Sequence, residues 1–142
     1  MKVKVLVVDD EAEFAKTLAE RLEMRHCSVT PVFSGKAALD IIKEIDFDVV
    51  VLDVLMPETN GIDLLREIKR VAPLTEVIML TGEATVKNAI DGMKLGAFDF
   101  LLKPADIELL EEKIKDAHGI KMRHEERIRK AQIEAIIKER GW

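Results

Sequence analysis

The chain has 142 residues, is 48% apolar and carries a formal charge of −5, which suits one globular domain with a real core and argues against a second large domain. The charge is uneven, because residues 1–118 hold 15 Lys/Arg and 23 Asp/Glu whereas residues 119–142 hold 7 and 4. An acidic body argues against general nucleic-acid binding. No apolar run approaches the roughly 20 residues that a membrane-spanning helix requires, so we expect a cytoplasmic protein without membrane contacts.

Five short apolar runs along the chain are typical of buried parallel strands. They are predicted at Val3–Val8, Ser28–Phe33, Asp48–Leu52, Glu76–Leu80 and Phe98–Leu102. Helix-like segments alternate with these runs, and this alternation predicts an α/β fold with a doubly wound five-stranded parallel sheet and helices on both faces. Because right-handed crossovers leave few other arrangements, the expected strand order is 2-1-3-4-5.

Helical periodicity predicts five helices between and after these strands. They are expected at about Glu11–Arg25, from Ser34-Gly35 through Ile42, at Ile62–Val71 and Thr85–Leu95, and from just after Lys103-Pro104. Asp10 is suited to cap the first helix, and Gly96 is suited to stop the fourth. The apolar residues that share one face of the fourth helix are Val86, Ala89, Ile90 and Met93.

Acidic, hydroxyl and basic residues follow four of the predicted strands. Asp9-Asp10 ends the first run, Asp53 the third, Thr81 the fourth and Lys103 the fifth. Functional groups gather at the carboxyl ends of strands in an open α/β sheet, so these residues should meet in one pocket. Each of them alone is more often a cap, a turn residue or a surface charge, but their joint occurrence at four strand ends favours a composite functional site.

The residue types in this pocket are those of phosphoryl transfer. The adjacent carboxylates of Asp9 and Asp10 repel a phosphate unless a cation lies between them, and Asp53 adds a third hard oxygen ligand. Such a cluster suits magnesium or manganese. Lys103 contributes a compact positive charge and Thr81 a hydroxyl, so metal ligands, nucleophile, cation and hydroxyl are all present.

Six motifs occur together in the first 118 residues: Asp9-Asp10, Asp53, Met56-Pro57, Gly61, Thr81 and Lys103-Pro104. With them, residues 1–118 resemble the receiver domain of two-component response regulators, which has the flavodoxin-like strand order. The resemblance implies that Asp53 accepts a phosphoryl group from the phosphohistidine of a sensor histidine kinase or a phosphotransfer protein. It also implies Asp10 and Asp53 as direct Mg²⁺ ligands. The backbone carbonyl of Leu55 would be a third ligand, and Asp9 would bind the metal through water.

The same resemblance implies a conformational switch. Thr81 would move to meet the phosphoryl group, and Lys103 would pair with it. Phe100, three residues before Lys103, matches the switch aromatic, which is often tyrosine in this family. The face formed by helix 4, strand 5 and helix 5 would then change shape and bind a downstream protein. Such a domain is a signalling phosphoacceptor that catalyses only its own phosphorylation and dephosphorylation.

Four other interpretations remain open. A phosphohydrolase of the haloacid-dehalogenase type also uses a strand-end aspartate and Mg²⁺, but it usually needs an acid two residues after the nucleophile, where Leu55 stands. Flavodoxin-like cofactor binding is disfavoured because Asp9 and Asp10 would repel a flavin phosphate. The chain could instead be an atypical receiver that acts as a constitutive protein-binding module, or the receiver part of a longer protein.

Residues 119–142 are predicted to form a helical extension with a net positive charge. The segment contains strong helix formers, but its apolar stripe is narrow and out of phase with helix 5. It is too short for a separate DNA-binding or catalytic domain. One hypothesis is that it extends helix 5 and pairs in a homodimer, and the alternative is a partly frayed connector.

The single cysteine and the three histidines are predicted to have structural roles. Cys27 has no second cysteine for a disulfide or a metal site, so we expect a small, partly buried hydrophobe. His26, His118 and His124 do not follow a predicted strand together with the carboxylates, and we expect solvated helix residues.

Overall fold

The computed structural model describes residues 2–57, 59–82 and 86–141, which contain a five-stranded parallel sheet. Its strands are β1 (Val3–Val8), β2 (Cys27–Val32), β3 (Val49–Leu52), β4 (Glu76–Thr81) and β5 (Asp99–Leu102). They pair in the order β2-β1-β3-β4-β5, which confirms the predicted doubly wound topology. The strand limits differ from the predicted ones by at most one residue at each end.

Helices connect and follow these strands at α1 (Ala12–Glu23), α2 (Gly35–Ile42), α3 (Gly61–Val71), α4 (Val86–Lys94) and α5 (Ile107–Glu139). The predicted Asp10 cap of α1 is wrong, because the helix starts one residue later, after Glu11, and no side chain of the described residues caps it. The Asp9 carboxylate instead accepts the Glu11 N–H, with 2.9 Å between Oδ1 and N. No helix in the described ranges has the length and apolar character needed to cross a membrane.

The central strands β1, β3 and β4 are buried on both faces, because helices cover both sides of the sheet and side chains alternate between the faces along each strand. Val5 and Val7 belong to a core shared with α1 and α5, whereas Leu6 and Val8 belong to a second core shared with α2 and α3. The buried apolar residues of α5 recur at helical spacing and are Ile107, Leu110, Ile114 and Ala117. This packing fixes the carboxyl ends of the central strands, where the candidate functional residues lie.

Helix α4 packs on the sheet through a glycine and leaves apolar side chains open to solvent. Gly92 is the buried residue of α4, and a Cβ at this position would lie 2.6 Å from Met79 Sδ, so the helix approaches β4 closely. Gly96 has a φ of 98° and ends the helix as predicted. Thr85, the predicted first residue, lies outside the described residues. The exposed large apolar side chains in this region are Val86, Ile90, Met93, Leu102 and Leu109.

Helix α5 runs unbroken past the predicted boundary between residues 118 and 119. Lys121 is only 2% exposed, and its Nζ lies 3.0 Å from Asp46 Oδ1 and 3.2 Å from Asp48 Oδ1, at the amino-terminal edge of the sheet. Burial lowers the pKa of Lys121, but hydrogen bonds to the two aspartates outweigh it and raise the pKa above its ordinary value. Residues 126–141 are all exposed, so the packed part of α5 ends close to Lys121.

Replacing Lys121 with methionine is expected to destabilise the fold, because it leaves the mostly buried Asp48 carboxylate without its cation. We expect a loss of about 2 kcal/mol in the free energy of unfolding, less than for a fully buried pair because Asp46 remains 72% exposed. Urea denaturation measures the loss against the control Lys130→Met, which changes an exposed lysine of the same helix. Equal stability of the two variants would contradict an anchoring role for Lys121.

The cysteine and the histidines depart only partly from the predictions. Cys27 is buried, and burial raises the pKa of its thiol, as suits a structural side chain. The prediction that the histidines are solvated helix residues is wrong for His26, which precedes β2 with a positive φ of 65°. It is also wrong for His118, which is on α5 but half-buried, with Nε2 3.8 Å from Asp48 Oδ2.

Candidate functional site

The sheet places Asp9 and Asp53 side by side at its carboxyl edge. β1 and β3 are neighbours, and each aspartate directly follows its strand. The Asp53 N–H donates to the Val8 carbonyl at 2.9 Å, and the Asp9 N–H donates to the Val32 carbonyl at 3.1 Å. Both aspartates therefore continue the hydrogen-bond ladder of the sheet, which fixes the positions of their carboxylates.

Three carboxylates form a cluster at this edge. One oxygen each from Asp9, Asp10 and Asp53 lies within 4.8 Å of the others. Asp9 is 2% exposed and Asp53 4%, whereas Asp10 is exposed. Burial raises the pKa of Asp9, and the negative charge of Asp53 adds to this, although hydrogen bonds from Lys103 and from the Glu11 N–H oppose it. A cluster of hard oxygens that repel one another, two of them on buried residues, is suited to a small divalent cation.

Lys103 is the counter-charge of this cluster. Its Nζ lies 2.6 Å from Asp9 Oδ2, 3.1 Å from Glu11 Oε1 and 3.4 Å from Asp53 Oδ2. The side chain is 11% exposed. Burial lowers the pKa of Lys103, but the hydrogen bonds to Asp9 and Glu11 outweigh it, and the pKa rises above its ordinary value. Lys103 therefore remains a cation in the pocket, next to the carboxylate of Asp53.

Thr81 and Phe100 lie on the two strands beyond β3. Thr81 is fully buried at the end of β4, opposite Leu102 of β5, and its carbonyl accepts the Lys103 N–H at 2.8 Å. Phe100 is half-buried and packs against the core shared with α2 and α3. The peptide bond between Lys103 and Pro104 is cis. The residues that end or follow β1, β3, β4 and β5 thus lie at one edge of the sheet, and we name the set of Asp9, Asp10, Asp53, Thr81 and Lys103 the strand-end pocket.

Hydrogen bonds fix the backbone of the residues that follow Asp53. The Leu55 N–H donates to Asp53 Oδ1 at 3.1 Å, and Leu55 forms an antiparallel bridge with Asn60. The Gly61 N–H donates to the Val54 carbonyl at 3.0 Å. The side chain of Leu55 is exposed, so only its backbone takes part in the pocket. Its role as a carbonyl ligand stays a prediction.

Lys103 also contacts Glu11, directly before α1, and Phe14, in the first turn of α1, neither of which the sequence interpretation assigned to the pocket. Glu11 forms the 3.1 Å ion pair, and the Phe14 ring lies under the ammonium with 4.3 Å from Nζ to the ring centroid. Phe14 also fits the apolar face of α1, since it lies four residues before the buried Leu18. Glu11 and Lys103 are 92 positions apart, so no local sequence pattern connects these residues to Lys103.

The chain is similar to proteins of one family. Residues 5–115 match the family described as response regulator receiver domain. Transcriptional regulatory protein ZraR of Salmonella typhimurium strain LT2 is 36% identical over 116 residues, which are 82% of this chain but only 26% of the length of ZraR. A receiver domain protein from Clostridium thermocellum is 38% identical with a TM-score of 0.80, over 84% of this chain and 97% of the other. The BeF3-activated DrrB receiver domain is 34% identical with a TM-score of 0.75, over 82% and 97%.

Proposed function

Because the chain belongs to the response regulator receiver domain family, the signalling domains of two-component systems, we propose that residues 1–118 act as a phosphorylation-controlled switch. In this proposal Asp53 accepts a phosphoryl group from a histidine kinase or a phosphotransfer protein. The observation that carries it is the position of Asp53, which is buried beside the Asp9 and Asp10 carboxylates with its Oδ2 3.4 Å from Lys103 Nζ.

The two oxygens of Asp53 have different surroundings, which suits one of them to be the nucleophile. Oδ1 accepts the Leu55 N–H, whereas Oδ2 faces the Lys103 ammonium. In the reaction Oδ2 attacks phosphorus, the bond from phosphorus to the imidazole nitrogen of the donor breaks, and its electron pair stays on that nitrogen. The product is an acyl phosphate on Asp53. Lys103 then pairs with the phosphoryl oxygens, where negative charge has arrived.

The donor set of the pocket supports a divalent cation, Mg²⁺ or Mn²⁺. Asp10 and Asp53 would bind it directly, Asp9 through water, and the Leu55 carbonyl would complete the protein ligands. Such an ion supplies the positive charge that lets a phosphoryl group enter an acidic cluster. Lys103 alone brings one positive charge to the three carboxylates of the cluster and to Glu11.

The switch links the pocket to an apolar surface. Thr81 and Lys103 move toward the phosphoryl group, and Phe100 turns into the space that Thr81 leaves. The exposed apolar side chains of α4 and β5, with Val86 77% exposed and Leu102 57%, form a surface suited to a downstream protein partner. The domain catalyses only its own phosphorylation and dephosphorylation, because Leu55 occupies the place of the acid that a turnover phosphohydrolase uses.

The proposal places the domain in the cytoplasm, without membrane contacts and without direct nucleic-acid binding by these 142 residues. Since the chain spans about a quarter of the length of the transcriptional regulator ZraR, it is also compatible with the receiver part of a longer protein. An atypical receiver that binds its partner constitutively is the alternative. It predicts a partner affinity that does not change when Asp53 is modified.

Binding of beryllofluoride, a phosphoryl mimic, tests the switch. In ¹H,¹⁵N spectra with Mg²⁺ and beryllofluoride, we expect the amides of Thr81, Phe100 and α4 to shift. The Asp53→Asn variant, which keeps the side-chain shape but lacks the anionic oxygen, should not respond. Shifts confined to the pocket would favour the constitutive binding module, and the same shifts in Asp53→Asn would contradict the role of Asp53.

The helical extension is proposed to pair with a second copy of the chain. Its four isoleucines beyond Lys121 are 40–52% exposed, and a helix with so little buried surface is marginal alone in water. These four side chains are Ile128, Ile133, Ile136 and Ile137. Their pairing would bury this apolar surface.

A truncation after Glu125 is expected to shift the solution mass at high concentration from dimer to monomer, measured by light scattering. This truncation keeps Lys121 and its ion pairs, so that the packed part of α5 is undisturbed. If the truncated protein has the same number of chains per particle as the full chain, the extension does not mediate pairing and is a connector.

A further inference from the structure

We propose that Phe14 is a positioning residue that holds the Lys103 ammonium at the strand-end pocket, an inference that rests on the function proposed for Asp53. The centroid of the Phe14 ring lies 4.3 Å from Lys103 Nζ, well inside the roughly 6 Å over which a ring attracts a cation. The ring is half-buried on α1, which shields this contact from water. Phe14 thus adds an attraction for Lys103 that does not come from the carboxylate cluster.

Lys103 approaches the pocket between two groups of partners. Glu11 and Phe14 contact it from the residue before α1 and from the start of α1, whereas Asp9 and Asp53 contact it from the strand ends. Lysine has a flexible four-carbon stem, so its ammonium stays in one place only while several partners hold it. Phe14 is the only uncharged partner among these four.

The uncharged partner matters most when the pocket holds a cation. The carboxylates of Asp9 and Asp53 are also the proposed metal ligands, and a bound cation would repel the nearby ammonium and offset their attraction for it. Glu11 is 67% exposed, so its ion pair is weak. The attraction of the Phe14 ring does not depend on those charges, and it keeps Lys103 beside the pocket until the phosphoryl group arrives.

Two substitutions separate the effect of the aromatic ring on the phosphorylation rate from the effect of an apolar side chain at position 14. In Phe14→Leu the side chain stays apolar but loses the aromatic face, and we expect phosphorylation by acetyl phosphate with Mg²⁺ to slow about three- to tenfold. Phe14→Tyr keeps the ring and should react at close to the wild-type rate. A rate for Phe14→Tyr as low as that for Phe14→Leu would overturn the proposal.

The effect of Phe14→Leu in a protein that already carries Lys103→Gln distinguishes a positioning role of Phe14 from a purely structural one. If Phe14 acts through Lys103, Phe14→Leu has no further effect on the rate in a Lys103→Gln protein. For variants that react too slowly to follow, the affinity for beryllofluoride gives the same comparison. A structural role predicts the same loss in both backgrounds, and that result would overturn the proposal.

The contact itself is tested without any reaction. The ε-methylene protons of Lys103 should show an upfield ring-current shift in the wild-type and Phe14→Tyr proteins, before and after Mg²⁺ is added, and should lose it in Phe14→Leu. Absence of this shift in the wild type would overturn the proposal even if phosphorylation proceeds. Failure of the wild type to take up a phosphoryl group would instead contradict the proposed function, while the ring-current shift still decides the position of Lys103.

Discussion

Replacing Gly61 with alanine is expected to lower the free energy of unfolding by about 3 kcal/mol, because the added methyl group has no space. A Cβ on Gly61 would contact the Cα of Val54 and would lie 2.6 Å from its carbonyl oxygen and 2.8 Å from its carbonyl carbon. These are backbone atoms, which cannot rotate away as a side chain can. The segment that would have to move carries Asp53, so the variant should also take up a phosphoryl group more slowly.

The matched control for this prediction is Gly119→Ala in the middle of α5. A Cβ on Gly119 would meet only the flexible end of the Arg123 side chain, at 3.6 Å. Alanine has a higher helix propensity than glycine, so this variant should be more stable by about 0.5–1 kcal/mol. Urea denaturation of both variants measures the difference. A Gly61→Ala protein as stable as the wild type would show that the Val54–Gly61 approach is not tight in solution.

Replacing Asp10 with asparagine is expected to weaken Mg²⁺ binding by about 100-fold or more, because one of three clustered negative charges is lost. Asp10 is exposed, so the substitution should change the stability of the fold little. Isothermal titration calorimetry with Mg²⁺, or Mn²⁺ detected by electron paramagnetic resonance, measures the affinity. An unchanged affinity would mean that the cation binds elsewhere.

The opposite change is expected for Lys103→Met, which serves as the counterpart of Asp10→Asn. In the wild type the Lys103 ammonium lies 2.6 Å from Asp9 Oδ2 and 3.4 Å from Asp53 Oδ2, and it competes with a metal cation for both carboxylates. Removing it should tighten Mg²⁺ binding about tenfold. Two substitutions in one pocket with effects of opposite sign are not explained by general loss of structure. Weaker binding in Lys103→Met would contradict the competition between ammonium and metal.

The sheet and the strand-end residues could be predicted because their determinants are local. Buried parallel strands form apolar runs, and the residue after each run must lie at the carboxyl edge. Asp53 and Lys103 are 50 positions apart, yet topology alone brings them to one edge, where the structure places them 3.4 Å from each other. Helix α2 was predicted for a similar reason, since Ser34 caps it locally with its own hydroxyl.

The features that could not be predicted depend on tertiary packing. Helix α4 packs on the sheet through Gly92, which approaches Met79, and its apolar side chains are exposed, but no sequence pattern connects Gly92 with Met79. Lys121 belongs to the predicted helical extension, but two aspartates at the amino-terminal edge of the sheet allow its burial. Phe14 fits an apolar helix face equally well with or without Lys103 above it, and only the structure shows the contact.

The most direct test of the proposed function is the intact mass of the protein after incubation with acetyl phosphate, with Mg²⁺ and with the metal chelated, beside Asp53→Asn. Our account predicts the gain of one phosphoryl group in the wild type with Mg²⁺, and no gain after chelation or in the variant. No gain in the wild type under any condition, or an equal gain in Asp53→Asn, would contradict it.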